Sequence, residues 1–271
     1  MKDYQGQPFS DGHFTGGAQK IPGRVYCAYY DLGGEGVAYH DATPVNQGSG
    51  GLNPDDGSYL NTFRMGEAVD TSYTKAFDAI DLHPFSVDPP PMGMLYVGWT
   101  EPGEWLRYTV DALADGEYGV SLLYTAHNDG GISISVDDDD ATGLIPVPST
   151  YDAGDPFDWR QWHHWRLLKA CATVTLRAGR HVLTLHTRSA GQMNYGYLDF
   201  ALLSGNPLES TEIQKEIEGY NALPCILRSL WSCPCFQMAK FTLSARRSTP
   251  RTPPRNGCPP MASSSVRAAK G

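Results

Sequence analysis

Apolar and polar residues alternate over much of the chain with the two-residue period of a β-strand. Residues 132–136, ISISV, show the pattern most strictly, as expected for a strand with one buried face. The same alternation recurs in residues 106–110, 183–185 and 198–202. Glycine and proline separate these segments, as at the predicted turn 130–131, and no long stretch has a helical period. The pattern predicts an all-β fold, a β-sandwich of two packed sheets.

Composition divides the chain into distinct parts. Residues 1–20 are polar and glycine-rich and predict a loose lead-in, and the strand pattern occupies residues 21–205. Within that domain, residues 46–91 are rich in Gly, Asp, Asn and Pro and are too long for a hairpin connection. We interpret them as a loop insertion at one edge of the sandwich. Residues 206–271 are basic and of low complexity, which predicts a disordered tail.

Charge, cysteine content and hydropathy exclude several classes of function. The net charge is −9, which disfavours binding to the phosphates of nucleic acids. The six cysteines contain no CxxC pair, so the sequence predicts no zinc-finger site. Cys27 and Cys171 are either two free thiols or one disulfide. We expect no membrane span, because no run of ~18 apolar residues occurs, and the N-terminal residues lack the apolar core of a signal peptide.

Four segments carry a resemblance to a known family. They are, in order, IPGRVYCAYYDLGGEGVAYHD from Ile21, YVGWTEPGEWLRYTVD from Tyr96, VTLRAGRHVLTL from Val174 and MNYGYLDF from Met193. Together they resemble the family 6 carbohydrate-binding modules over about two-thirds of the chain. The resemblance implies a β-sandwich jelly roll that binds polysaccharide or oligosaccharide without catalysis. It also implies an extracellular location and an associated glycoside hydrolase that the module holds on its substrate.

The resemblance also indicates which side chains bind the sugar. A sugar ring has C–H faces and a rim of hydroxyls, so its site needs aromatic walls and a few fixed polar groups. The positions that match the family's cleft are Trp99, Trp162 and Asn194. The tryptophan loop is longer here, YDAGDPFDWRQWHHW, so Trp159 competes with Trp162. Ordinary packing is the alternative for each tryptophan, and a structural hydrogen bond is the alternative for Asn194.

Two residues of the segment GGEGVAY are further candidates for contacts with sugar hydroxyls. The carboxylate of Glu35 can accept hydrogen bonds from two hydroxyl groups and so orient a sugar. Tyr39 lies four residues later and offers a phenolic hydroxyl. For Glu35 the alternative is a solvated turn residue.

The resemblance further implies a structural calcium ion between acidic residues of the first strand and an aspartate near the end of the domain. Asp199 matches the second position, but Tyr26 and Ala28 stand at the first-strand positions. Calcium requires six to eight oxygen ligands, several of them charged. We therefore expect no calcium and no other cofactor, with Asp199 as the single matching ligand. The acidic run 137–140 is predicted to be a solvated hairpin turn.

Two other functions fit an all-β chain of this composition. A fragment of a glycoside hydrolase would place two carboxyl groups ~5–9 Å apart across a cleft, and Glu101 and Glu104 flank a Pro-Gly turn in WTEPGEW. No second acidic motif accompanies them. A protein-adhesion sandwich would instead bury its tryptophans in the core. Carbohydrate binding without catalysis is the prediction, with these two as alternatives.

Overall fold

The computed structural model describes residues 3–189 and 191–205, and the predicted basic tail, 206–271, lies outside these described residues. Strands dominate the described residues, and helical geometry is limited there to short turns at Cys27–Tyr29, Gly48–Leu52, Phe77–Ala79 and Asp158–Arg160. No helix in the described part of the chain is long and apolar enough to cross a membrane. The strands are β1 (Gln19–Ile21), β2 (Gly23–Tyr26), β3 (Tyr39–His40), β4 (Thr71–Tyr73), β5 (Leu95–Thr100), β6 (Trp105–Ala112), β7 (Gly116–Ala126), β8 (Gly130–Val136), β9 (Asp139–Asp140), β10 (Ile145–Val147), β11 (Arg166–Leu176), β12 (Gly179–Ser189) and β13 (Met193–Ser204).

The strands form two sheets. The first sheet has the order β1-β6-β12-β8-β10, with β3 also paired to β6 and β9 to β8. The second has the order β11-β7-β13-β5-β4, with β2 also paired to β13. Buried side chains of both sheets, such as Ile134 and Leu183 from the first and Leu122 and Phe200 from the second, belong to one core cluster. The predicted β-sandwich is confirmed.

The strand β8 differs in two details from its prediction. Its alternating isoleucines are buried as expected, but Ser133 and Ser135 are buried too, so both faces of this strand are covered. The Gly-Gly pair at 130–131 was predicted to be a turn. It instead begins β8 and pairs with Val147 and Pro146 of β10, because the chain reverses earlier, before residue 130.

The lead-in is bound to the sandwich and is not loose. Phe9 is 4% exposed. Its ring stacks on Tyr29 with centroids 5.4 Å apart and meets Phe63 edge-on at 5.6 Å. Gln7 and Leu32 exchange two backbone hydrogen bonds. The few aromatic residues of this polar segment thus find an apolar surface that the local sequence does not reveal.

The insertion 46–91 is ordered by polar contacts. Its strand β4 forms an edge of the second sheet against β5. Asn46 is buried, and its Oδ1 accepts hydrogen bonds from the backbone N–H groups of Gly48, Ser49 and Thr71. The backbone oxygen of Asp70 accepts from the N–H of Gly98 at 2.9 Å. These contacts place the insertion directly beside the end of β5.

The structure describes both the pair Cys27 and Cys171 and the acidic run 137–140. Cys27 and Cys171 are free thiols, so they do not form a disulfide. The acidic run forms a hairpin, but only half of it is the turn: Asp137 and Asp138 have φ of 52° and 74°, as a two-residue hairpin turn requires, whereas Asp139 and Asp140 form β9 and pair with β8. Asp137 accepts from His181, and Asp138 pairs with Arg107.

Candidate functional site

Asn194 connects two tryptophan-bearing segments at one end of the second sheet. It is the second residue of β13 and is only 1% exposed. Its Oδ1 accepts a hydrogen bond from the backbone N–H of Trp99 at 3.1 Å. Its Nδ2 donates to Oγ1 of Thr125 at 2.8 Å and to Nδ1 of His163, the neighbour of Trp162, at 3.1 Å. Both N–H groups of the amide are therefore used within the protein.

Trp99 lies on a β-bulge that turns its side chain toward solvent. Between matched positions, β5 has one residue more than its partner β13, which is the definition of a bulge. The φ of Trp99 is 49°, in the left-handed region that bulky residues rarely adopt. A Cβ on Gly98 would lie 2.8 Å from Oδ1 of Asn194, so glycine is required for this bond. Strained backbone of this kind is concentrated at functional sites.

The indole ring of Trp99 is supported by the insertion. A Cβ built on Gly48 would lie 3.0 Å from Cζ3 of Trp99 and 2.0 Å from the backbone oxygen of Thr71. The ring therefore packs against bare backbone at Gly48 and remains half-exposed. A half-exposed indole with one supported side is suited to stacking against a flat apolar surface.

Trp162 borders an open depression. It is half-exposed, and its ring meets the ring of His127 edge-on at 6.0 Å. His127 in turn meets the ring of Tyr151 at 6.1 Å. The depression combines aromatic faces with amide, carboxylate and hydroxyl groups, and it is lined by His127, Asn128, Asp129, Ser149 and Tyr151. Aromatic walls with a few polar groups are the chemical requirement for binding a sugar.

Asp81, His163 and Trp165 form a buried hydrogen-bonded cluster next to Trp162. Nε2 of His163 is 2.7 Å from Oδ1 of Asp81, and Nε1–H of Trp165 donates to the same oxygen at 2.6 Å. Burial raises the pKa of Asp81, but the hydrogen bonds from His163 and Trp165 lower it more, so that it lies below its ordinary value. Asp81 thus fixes the segment that carries Trp162. Trp165 is fully buried in the core.

Several members of this site were missed from the sequence. His163, Thr125 and Asp81 come from three distant segments, and no spacing rule connects them. The side chains of neighbouring residues in extended backbone, such as His163 and His164, diverge. The divergence is observed, since His163 contacts Asp81 whereas His164 contacts Asp155.

The structure does not place Tyr39 in the group around Asn194. Tyr39 is 5% exposed, its hydroxyl accepts from the N–H of Ala68 at 3.3 Å, and its ring meets Tyr30 edge-on at 5.5 Å. Its side chain belongs to the core, because β3 presents this residue inward against β6. The expectation that Tyr39 contacts a sugar is therefore corrected.

Glu35 and Trp159 are both at the surface, but their neighbours are not the residues around Asn194. Glu35 is bound to Nδ1 of His40 at 2.5 Å and to the N–H of Asp41 at 3.2 Å. This hydrogen bond to Glu35 raises the pKa of His40. Trp159 is 55% exposed, and its ring lies 6.2 Å from that of Phe157. In the described residues, no hydrogen bond or ring contact joins either side chain to Trp99 or Trp162.

Asp199, the residue matching the calcium position, faces a cation. In the register of β13 and β2, Asp199 lies opposite Arg24. The ring of Tyr26 instead meets Tyr197 edge-on at 5.8 Å, and Ala28 is buried. The neighbourhood of Asp199 thus offers an aromatic pair and an arginine where calcium would need further carboxylates.

Glu104 closes the Pro-Gly turn between β5 and β6. Its Oε2 accepts from the N–H of Glu101 at 2.8 Å and its Oε1 from the N–H of Ala42 at 3.2 Å. Burial, with the negative charges of Asp41 and Glu101 nearby, raises the pKa of Glu104 to about 7. Both carboxylate oxygens are engaged by the backbone, so this residue has a structural task.

We expect Glu104 to make stability fall as the pH rises. A carboxyl group whose pKa is raised on folding stabilises the protein below its ordinary pKa of 4.5, and that contribution is lost as the pH passes about 7. Between pH 5 and pH 8 the wild type should lose about 1 kcal/mol of unfolding free energy relative to Glu104→Gln, after allowance for solvent screening. Urea denaturation of both proteins measures the difference. Identical changes in the two proteins would contradict the assignment.

Part of this chain is similar to known carbohydrate-binding modules. Residues 85–202 match the family model of the carbohydrate binding module (family 6). Similar solved structures include a family 43 arabinoxylan arabinofuranohydrolase from Bacillus subtilis, at 12% identity and a TM-score of 0.40 over 72% of this chain and 33% of that one. The present chain therefore matches only a third of the length of that enzyme. A comparison with curated proteins gives no match.

Two of the similar structures are separate modules. One is a β-1,3-glucan binding family 6 module from Bacillus halodurans, at 16% identity and a TM-score of 0.38, over 68% of this chain and 98% of that one. Another is a family 6 module from Clostridium stercorarium in complex with cellobiose, at 14% identity and a TM-score of 0.40, over 69% and 99%.

Proposed function

We propose that this chain binds a polysaccharide or oligosaccharide without reacting with it, because residues 85–202 match the family model of the carbohydrate binding module (family 6). The family match is the observation that carries the proposal. The described site supports it, because two half-exposed tryptophans flank a buried polar network at one end of the second sheet. In this proposal the indole rings of Trp99 and Trp162 form the walls against which sugar rings stack.

The polar contacts to the sugar come from the rim of the site. Asn128, Asp129 and Ser149 line the depression beside Trp162 and are in a position to bind hydroxyl groups. Asn194 holds the tryptophan segments in place and does not contact the sugar itself, since its amide already bonds to the backbone of Trp99 and to His163. This assigns Asn194 a positioning role where the family resemblance alone suggested direct contact. The burial of Asn194 supports this positioning role, because a buried amide is not accessible to a sugar.

The biological setting is also part of the proposal. A module of this kind acts outside the cell and keeps an associated glycoside hydrolase close to its substrate. Binding of this type raises the local concentration of substrate at the enzyme, as linked modules generally do. No residue of the described site is assigned a catalytic role.

Affinity electrophoresis tests the proposal. The full chain is run through native gels that contain xylan, β-glucan, agarose or arabinan, each with and without EDTA. We expect at least one glycan to retard the chain, equally in the presence of EDTA, and no release of reducing sugar from that glycan. Free migration of a folded sample on every gel would contradict carbohydrate binding and favour an adhesion domain. Release of reducing sugar would favour a hydrolase.

A further inference from the structure

A second polar cluster lies apart from Asn194, where the segments around residues 83 and 155–164 meet. Within residues 3–189 and 191–205, one group of three metal-binding side chains has its donor atoms within 4.8 Å of one another: His83, Asp155 and His164. His83 is 8% exposed, and the other two are almost fully buried. A buried set of two imidazoles and one carboxylate is typical of sites for zinc and related ions.

The hydrogen bonds of His164 make it a suitable ligand. Its Nδ1 lies 2.9 Å from the backbone oxygen of Thr150, which can only accept, so Nδ1 carries a proton. Its Nε2 lies 2.9 Å from Oδ2 of Asp155, also an acceptor. Both ring nitrogens therefore face acceptor oxygens, and a metal ion placed between Nε2 and Oδ2 would bind both atoms. Histidine ligands commonly donate their second N–H to a backbone carbonyl in this way.

His83 supplies an independent indication of a ligand. Its Nδ1 is buried and has no hydrogen-bond partner among the described residues. Its other ring nitrogen, Nε2, lies 3.4 Å from Oγ of Ser86. A buried ring nitrogen without a partner is destabilising, so the free Nδ1 points to a ligand from outside the chain. The rings of His83 and His164 are 5.2 Å apart and tilted by 65°. Donor atoms on one tetrahedral zinc ion lie about 3.4 Å apart. The three donors lie within 4.8 Å of one another, so a shift of about 1.4 Å or less in the His83 ring, with a small widening of the contact between His164 and Asp155, brings them to one ion.

Arg160 is compatible with an ion at this position. Its guanidinium donates to both oxygens of Asp155, at 2.7 and 2.9 Å. Each carboxylate oxygen has two lone pairs, and the lone pair of Oδ2 that faces His164 is the one that would take the metal. Arg160 then remains as an outer partner that orients the carboxylate, as is usual around metal ligands. Its positive charge disfavours calcium, which depends on carboxylate charge, more than an ion held by imidazole.

From these contacts we infer that His83, Asp155 and His164 bind a divalent transition-metal ion of the zinc class, with solvent completing the coordination. The site is separate from the proposed sugar contacts and does not depend on them. Its ligands come from the insertion and from the tryptophan loop. A bound ion would therefore cross-link the insertion and the tryptophan loop, two segments that contain few strands.

Isothermal titration of the full chain with Zn²⁺ tests this inference. Accessible thiols are alkylated first, because Cys225, Cys233, Cys235 and Cys258 are alternative zinc ligands. We compare the wild type with His83→Phe, which keeps an aromatic ring, and with the control His13→Phe, whose residue stacks on Tyr59 elsewhere. Loss of His83 should weaken zinc binding at this site at least about tenfold. The control should bind as the wild type does, and Ca²⁺ should not compete.

Two further measurements do not depend on the variant. Zinc anomalous scattering from a crystal of the wild type should show a peak between the three side chains, and Co²⁺ should give the visible absorption of a four-coordinate ion. A zinc peak elsewhere, or equal zinc affinity in wild type and His83→Phe, would overturn the inference. In that case the contact between His164 and Asp155 is a structural hydrogen bond only.

Discussion

Replacing both Trp99 and Trp162 with alanine is expected to abolish retention of the chain by its glycan. Each indole is half-exposed at the proposed site, and a stacked aromatic residue at the centre of a binding surface typically contributes enough for alanine to cost about tenfold in affinity. Two such losses, about a hundredfold together, reduce a modest affinity below detection. Isothermal titration with the glycan identified by electrophoresis measures each single variant and the double variant.

The matched control for this experiment is Trp159→Ala. Trp159 belongs to the same loop as Trp162 but is 55% exposed and contacts Phe157. We expect this variant to bind the glycan with the affinity of the wild type. If Trp159→Ala abolishes binding while Trp162→Ala does not, the stacking wall is Trp159, and the assignment made here is wrong. Cooperative urea unfolding of all variants confirms that they are folded.

The sheets were predictable because strand formation leaves a local signature. Alternation placed β6, β8, β12 and β13 correctly, since a half-buried strand must show its apolar face every second residue. The same rule does not tell which face becomes covered by a distant segment. Ser133 and Ser135 on β8 look like surface residues in the sequence and are buried in the structure.

The site was only partly predictable for a similar reason. Family resemblance indicated Trp99, Trp162 and Asn194, and the structure connects all three through Asn194 and His163. It did not reveal that Asn194 is buried, because the residues that surround its amide, Trp99, Thr125 and His163, are distant from it in the sequence. Tyr39 was misplaced since an aromatic residue after a glycine turn is consistent with either core or surface. Contacts between distant segments, such as Asp81 with His163, leave no periodic signal.

Asn194→Ala provides the sharpest test of how the site is constructed. The change leaves the N–H of Trp99, the Nδ1 of His163 and the hydroxyl of Thr125 without their partner in a buried position. Unpaired buried groups cost about 1–3 kcal/mol each, with partial relief by rearrangement or water. We therefore expect the unfolding free energy to fall by about 2–4 kcal/mol. Urea denaturation measures this fall, and Thr125→Val, which removes one partner only, should cost about 1 kcal/mol.

The same variant separates positioning from direct contact. If Asn194 holds the tryptophan segments in place, Asn194→Ala loses stability and glycan affinity together, and Thr125→Val loses a smaller part of both. If Asn194 binds the sugar itself, affinity falls while the unfolding free energy hardly changes. The first result is expected, because an amide that already bonds to three protein groups at 1% exposure has little capacity left for a ligand. The strained backbone of Trp99 depends on that amide, so the stacking wall and the buried network should fail as one unit.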